Sequence, residues 1–262
     1  MRISSLYRYP VKGLSPERIA RADLVKGAYF PGDRLFAVEN GPSGFDPAAP
    51  AHQPKIKFLM LMKNESLARL RTRYRDATGE LVIEESGREV ARGDLSTAAG
   101  RVAIEAFFRR YLPGELRGPP KVLTAPAGHR FTDSRSGYVS LINLASVAAL
   151  EGLIGAPVDP LRFRGNLHLE ELEPWAELDL VGQVLAGPGG VRLKVTKRIE
   201  RCAATNVDPG TGLRDMAIPK TLMQTYGHFD CGVYAQVLAD GALAEGDRFA
   251  VEPARQPELP FA

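Results

Sequence analysis

The stretch DLVGQVLAGPGGVRLKVTKRIERCAATNVDPGTG, residues 179–212, decides the fold class. Residues 179–185 and 191–196 are rich in apolar and β-branched side chains. Between them, Gly187-Pro188-Gly189-Gly190 supplies the backbone freedom of a hairpin loop. The second strand runs straight into Lys197-Arg198-Ile199-Glu200-Arg201-Cys202. Small and hydroxyl residues follow, and then Asp208-Pro209-Gly210-Thr211-Gly212 turns the chain back past the cysteine.

Working outward, short strand-like segments recur at residues 167–169, at 232–238 before the turn Asp240-Gly241, and at 247–251. Toward the N-terminus, residues 3–9 alternate loosely until Pro10, and 35–38 follow Pro31-Gly32-Asp33. Residues 81–83 and 90–91 flank Ser86-Gly87 as a hairpin. The apolar run 55–62 fits a strand or a helix. Helical spacing predicts one helix after Asn64 through Leu67, Leu70 and Tyr74, and another through Ile104, Phe107, Phe108 and Tyr111. A third starts at Asn143, runs through Leu144, Val147, Ala148 and Leu150, and stops near Gly155. Many short strands with few helices predict a mainly β protein with helices, an α+β class built on β-barrels. Arg117-Gly118-Pro119-Pro120 can continue neither a helix nor a central strand, which divides the chain into residues 1–120 and 121–262.

Composition narrows the function classes. With 44% apolar and 25% charged residues over 262 positions, the chain can bury a real core. A net charge of +3 is too small for general nucleic-acid binding, yet it allows a local pocket for one anion. Two cysteines, Cys202 and Cys231, do not make a secreted disulfide framework. No signal peptide and no membrane span are apparent, so a reducing cytoplasm is the expected location. P-loop, dinucleotide, zinc and nucleophile-elbow motifs are absent, and pyridoxal phosphate is not expected. His52, His129, His168 and His228 show no metal spacing.

The cysteine after three nearby cations carries the chemistry. Cationic neighbours favour thiolate over thiol, and thiolate is the form that binds a soft metal. A buried cysteine at a strand end, with solvated cations around it, is the plainer reading of the same residues. Asp208 fits either a catalytic acid or a turn-forming side chain. Cys231, beside Gly232 before an apolar strand, reads as a buried small apolar residue.

Four further segments bear on the choice: Tyr9-Pro10-Val11-Lys12-Gly13-Leu14-Ser15, Leu141-Ile142-Asn143-Leu144-Ala145-Ser146-Val147, Arg162-Phe163-Arg164-Gly165-Asn166 and Glu173-Pro174-Trp175-Ala176-Glu177. With the Cys202 segment, and in this order, they resemble MOSC-domain proteins that carry an N-terminal MOSC-associated β-barrel domain. The bacterial relatives of the mitochondrial amidoxime-reducing component are similar. The resemblance implies a molybdenum cofactor of the molybdopterin type, with Cys202 as the thiolate on the metal. Lys12 would reach the phosphate end of the cofactor, and Arg34 would be another cofactor-contacting arginine. Ser146, Arg164 and Asn166 would line the pocket, and Gly13, Asn143, Arg201 and Thr205 complete the implied contacts. This chain has Gly13 where many relatives have Ser, and Gly165 where they have Pro.

The implied activity is reduction of N-oxygenated small molecules such as hydroxylamines or amidoximes. Two cysteines are too few for a cluster of the chain's own, so electrons would come from a separate electron-transfer protein. The alternatives are a non-redox cofactor carrier, a sulfur-transfer protein that holds persulfide on Cys202, or a pocket that has lost its cofactor.

Overall fold

The computed structural model describes residues 1–135 and 138–253 of the chain. Its class is mixed α+β. In chain order come β1 (Arg2–Arg8), β2 (Glu17–Ile19), β3 (Arg21–Leu24), β4 (Phe36–Asn40), β5 (Leu70–Arg75), β6 (Glu80–Glu85) and β7 (Arg88–Asp94). Then follow α1 (Ala98–Tyr111), β8 (Pro120–Thr124), β9 (Val139–Asn143), α2 (Leu144–Ile154), β10 (Leu167–Glu170), β11 (Val184–Ala186) and β12 (Arg192–Glu200). The chain finishes with α3 (Ile218–Tyr226), β13 (Asp230–Ala239), β14 (Gly241–Ala244) and β15 (Ala250–Val251). None of these helices is long and apolar enough to cross a membrane.

The main sheet has eight strands in the order β15-β11-β12-β13-β9-β10-β1-β2. Its centre follows from alternation: on β13, Cys231, Val233, Ala235 and Val237 point inward, while Tyr234 and Gln236 are only partly covered. β9 and β10 are parallel, and α2 lies on the crossover between them. Asn143 starts α2, its side chain accepting from the Ala145 N–H at 3.0 Å, and Gly155 ends it in the left-handed region.

A second group of strands, β5-β6-β7 and the pair β4-β8, packs with α1 over its own core of Leu70, Ile83, Ile104, Phe108 and Leu112. Thr97 caps α1 by accepting from the Gly100 N–H at 3.0 Å. Gly100 permits the close approach to β7, since a Cβ there would lie 2.0 Å from the Asp94 carbonyl oxygen.

The two groups interlock. β1 pairs with β10, and β3 with β14, so the first 24 residues build the C-terminal half. β8 pairs with β4, so this pairing joins segments on both sides of residue 120. Residues 254–262 of the expected second domain lie outside the described residues.

Two expected elements differ. The helix after Asn64 is a short 3₁₀ turn, Glu65–Arg69, followed by β5. There Arg71, Arg73 and Arg75 alternate with Leu70, Thr72 and Tyr74, and the pairing with β6 satisfies the backbone. Asn64 does not cap; its Nδ2 donates to Glu115 at 2.8 Å. In 179–185, Ala176–Leu180 forms a 3₁₀ turn that buries Leu178 and Leu180, which leaves a strand of three residues. The undecided run 55–62 opens with a 3₁₀ turn, Lys55–Lys57, and continues irregularly with Phe58 and Leu59 buried. α3 has no counterpart in the sequence expectation.

Candidate functional site

β12 brings the cysteine to the site. Its pairing with β13 slips between Val195 and Lys197 and again between Arg198 and Glu200. Such bulges re-aim a strand end, and the whole run 197–202 lines one cavity of about 450 Å³. This volume lies within the usual range for a small-molecule site. Cys202 is half-buried at its wall. The turn after it is pinned: Thr205 donates through both its N–H and its hydroxyl to the Cys202 carbonyl at 3.0 Å. Val207 packs into the core of the N-terminal half.

Across the cavity stands a group of cations drawn from distant parts of the chain. Lys12 follows β1 in a tight turn completed by Gly13. There φ is 82°, and a Cβ would meet the Leu59 carbonyl oxygen at 2.8 Å. The buried Lys12 Nζ donates to the Phe131 carbonyl at 3.0 Å and pairs with Asp133. Burial lowers the Lys12 pKa, and Asp133 opposes that shift only in part. Asp133 keeps half of its side-chain surface open, yet Lys12, Lys55 and Arg34 surround it. Burial works to raise its pKa; the cations prevail and hold it at about 2.

Arg34 pairs with Asp33, and its Nη2 donates to the Arg164 carbonyl at 3.2 Å. Arg164 Nη1 donates to the Leu14 carbonyl at 2.8 Å, while its buried Nη2 has no partner among the described residues. Burial and then the Arg34 charge push the Arg164 pKa down to about 10. Arg201 donates to the carbonyls of Cys231 and Phe163, the first through Nε at 2.7 Å. Arg162 is buried and forks onto Asp215 at 2.8 and 2.7 Å, with Asp208 at 3.1 Å. Lys55 faces Cys202 and Asp133; burial opposes its charge, but those two groups outweigh it and raise its pKa.

Of the lining side chains, Lys12, Arg34, Lys55, Arg162, Arg164, Lys197, Arg198 and Arg201 are cationic. Asp33, Asp133 and Glu200 are acidic. An enclosed excess of positive charge on this scale favours an anionic ligand.

The structure brings together Lys12, Gly13, Arg34, Arg164, Asn166, Arg201, Cys202 and Thr205 around this cavity. Asn166 serves the scaffold as well, accepting from the Ser140 N–H at 3.0 Å and hydroxyl at 2.8 Å and donating to the Tyr7 carbonyl. Three expected site residues lie elsewhere. Asn143 and Ser146 do not line the cavity. Both donate to the buried Glu177 carboxylate, at 3.0 and 2.7 Å, because α2 packs its first turn against the turn that carries Glu177. Asp208 accepts from the N–H groups of Gly210 and Thr211 at 2.9 and 2.7 Å, which is the turn-forming role. Cys231 is fully buried, as expected, and burial pushes its thiol up to about 12.

Sequence reasoning missed Asp33, Lys55, Asp133 and Arg162. Arg162 stands in the quoted Arg162–Asn166 segment, and Asp33 in the Gly32-Asp33-Arg34 turn. Lys55 falls in the run whose structure the pattern left undecided, and nothing local marks Asp133.

Residues 1–111 match the family described as the MOSC N-terminal beta barrel domain, and residues 128–250 match the MOSC domain. The chain belongs to the MOSC family. No curated protein matches it significantly. Among solved structures, this MOSC chain is similar to the YuaD protein from Bacillus subtilis, at 11% identity and a TM-score of 0.45, over 95% of this chain and 93% of that one. It is also similar to YiiM from Geobacillus stearothermophilus, at 20% identity and a TM-score of 0.37, over 51% of this chain and 67% of that one. Likenesses this distant carry no argument about the site.

Proposed function

We propose that the cavity binds the molybdenum cofactor and that this MOSC protein is an oxidoreductase acting on N-oxygenated small molecules. The observation that carries the reading is that Cys202 and the group Lys12, Arg34 and Arg164 line one cavity. The donor set fits such a group. Among the described residues no cluster of three or more His, Cys, Asp or Glu could hold a bare metal ion. A single thiol suits a metal whose other ligands arrive with an organic chelate. The unpartnered Arg164 Nη2 suits a phosphate oxygen, which a guanidinium binds through directed N–H donors.

In this reading Cys202 holds the metal end, and Lys12, Arg34 and Arg164 hold the phosphate end. The cofactor supplies two-electron redox chemistry, and a separate protein supplies the electrons. The chain's own residues anchor both ends of the ligand and fix the Cys202 turn through Thr205. They also present a partly apolar wall of Met60, Leu61, Met62 and Phe163 to a substrate. A second reading, persulfide transport on Cys202, draws on the same half-buried thiol with Lys55 beside it.

Turnover separates the two. Protein produced in a host that makes the cofactor should reduce benzamidoxime with a chemical electron donor, and Cys202→Ser should abolish this. No turnover, with a persulfide on Cys202 by mass spectrometry, would replace the first reading with the second.

A further inference from the structure

Two arginines of the site, Arg34 and Arg164, have φ values of 47° and 53°, in the left-handed region that non-glycine residues rarely adopt. Strained backbone of this kind persists where the surroundings over-determine it. Hydrogen bonds hold both backbones, Arg34 N–H to the Tyr9 carbonyl at 2.7 Å and Arg164 N–H to the Leu161 carbonyl at 3.1 Å, and the two side chains meet at one ring. The guanidinium carbons of Arg34 and Arg164 lie 4.5 and 4.4 Å from the ring centroid of Tyr9, which is fully buried. Asp33 pairs with Arg34; Arg164 has a carbonyl and a free Nη2. Left to themselves, two like charges would separate. The negative face of an aromatic ring attracts a guanidinium and offsets that repulsion.

Tyr9 is itself fixed by the residues that it contacts. Its N–H donates to Asp33 Oδ1 at 2.8 Å, and its carbonyl accepts the Arg34 N–H at 2.7 Å. The Tyr9 hydroxyl is buried and makes no hydrogen bond among the described residues. The contribution of Tyr9 therefore lies in its ring.

We propose that Tyr9 is a positioning residue: its ring holds the Arg34 and Arg164 guanidiniums together as a preformed clamp for one dianionic oxyanion group of the ligand. The clamp is ready before the ligand arrives, and the buried Arg164 Nη2 has no hydrogen-bond partner among the described residues. This rests on the reading of the cavity as an anion site.

The test is calorimetric binding of inorganic pyrophosphate to the full chain free of cofactor. Tyr9→Phe, which keeps the ring, should bind within about threefold of wild type, and Tyr9→Leu should bind at least roughly tenfold more weakly, the loss of two cation–ring contacts. In an Arg164→Met background, Tyr9→Leu should cost less than it does in the wild type, because one of its two cation–ring contacts is already gone. If Tyr9→Leu loses cooperative unfolding, Tyr9→Met fills the space without a π face and takes its place. Wild-type affinity in the ringless variant overturns the proposal, and so does Tyr9→Phe binding as weakly as Tyr9→Leu. A wild-type chain that binds no pyrophosphate overturns the anion-site reading together with it, and that outcome is visible before any variant is made.

Discussion

Lys12 is a buried ammonium whose acidic partner comes from the protein itself. Asp133 holds the position that an anionic ligand would compete for, and its pKa of about 2 keeps it ionised across the whole working pH range. Replacing it by an amide removes the anion that competes for the Lys12 Nζ. Asp133→Asn should therefore tighten pyrophosphate binding roughly fivefold, the worth of one partly exposed ion pair at about 1 kcal/mol. Isothermal calorimetry reads this directly. Unchanged or weaker binding would mean that Lys12 does not face the ligand. The sequence pointed to Lys12 through its motif, but Asp133 has no local signature. It matters because the loop that carries it folds back over a residue 121 positions earlier.

At the scale of elements, the bulged end of β12 and the first turn of α2 do different work. β12 delivers Cys202 and its neighbouring cations to the cavity, whereas α2 anchors its first turn on Glu177. That carboxylate accepts from Asn143 Nδ2, from the Ser146 hydroxyl and from the Gly232 N–H at 3.2 Å. Glu177→Ala would strand these buried donors and should cost about 3–5 kcal/mol of stability by denaturant unfolding. Ser146→Ala should cost about 1–3 kcal/mol and leave pyrophosphate affinity within about twofold. A large loss of affinity in Ser146→Ala would return α2 to the ligand site.

β10 carries a second testable feature. Burial depresses the His168 pKa to about 4, against an ordinary value of about 6.5. Below pH 6.5 the unfolded chain takes up a proton that the folded chain refuses. Stability should therefore fall as pH drops from about 6.5 to about 4, by on the order of 3 kcal/mol from this group. His168→Leu should flatten that segment of the stability curve, and an unaltered slope would show that the histidine is not held neutral. Strands and helices with clean periods, such as β13, α1 and α2, were legible in the sequence. The helix expected after Asn64 was not, because Leu67, Leu70 and Tyr74 match a helical stripe while residues 70–75 also alternate. Cross-strand pairing with β6 decides between the two, and a local pattern does not contain it. α3 hid for a similar reason: it buries little beyond Ile218 and Leu222, too few positions to show a period.

Over the whole molecule, the chain builds its site by crossing its own halves. β1 and β3 complete the C-terminal sheet, Val207 inserts into the N-terminal core, and the cavity takes its cations from residues as far apart as Lys12 and Arg201. Motif order along the chain made the family readable, and the resemblance reached half of the cationic wall, namely Lys12, Arg34, Arg164 and Arg201. Which motif residues face the cavity, and which serve the scaffold, depends on packing between segments far apart in sequence. The account rests on one ligand bridging Cys202 and the cationic wall, and elemental analysis of protein from a host that makes the cofactor tests it most directly. It predicts close to one molybdenum per chain in the wild type, with the metal lost in Cys202→Ser and retention weakened in Arg164→Met. Wild-type protein from that host without molybdenum, or metal content indifferent to both substitutions, would contradict it.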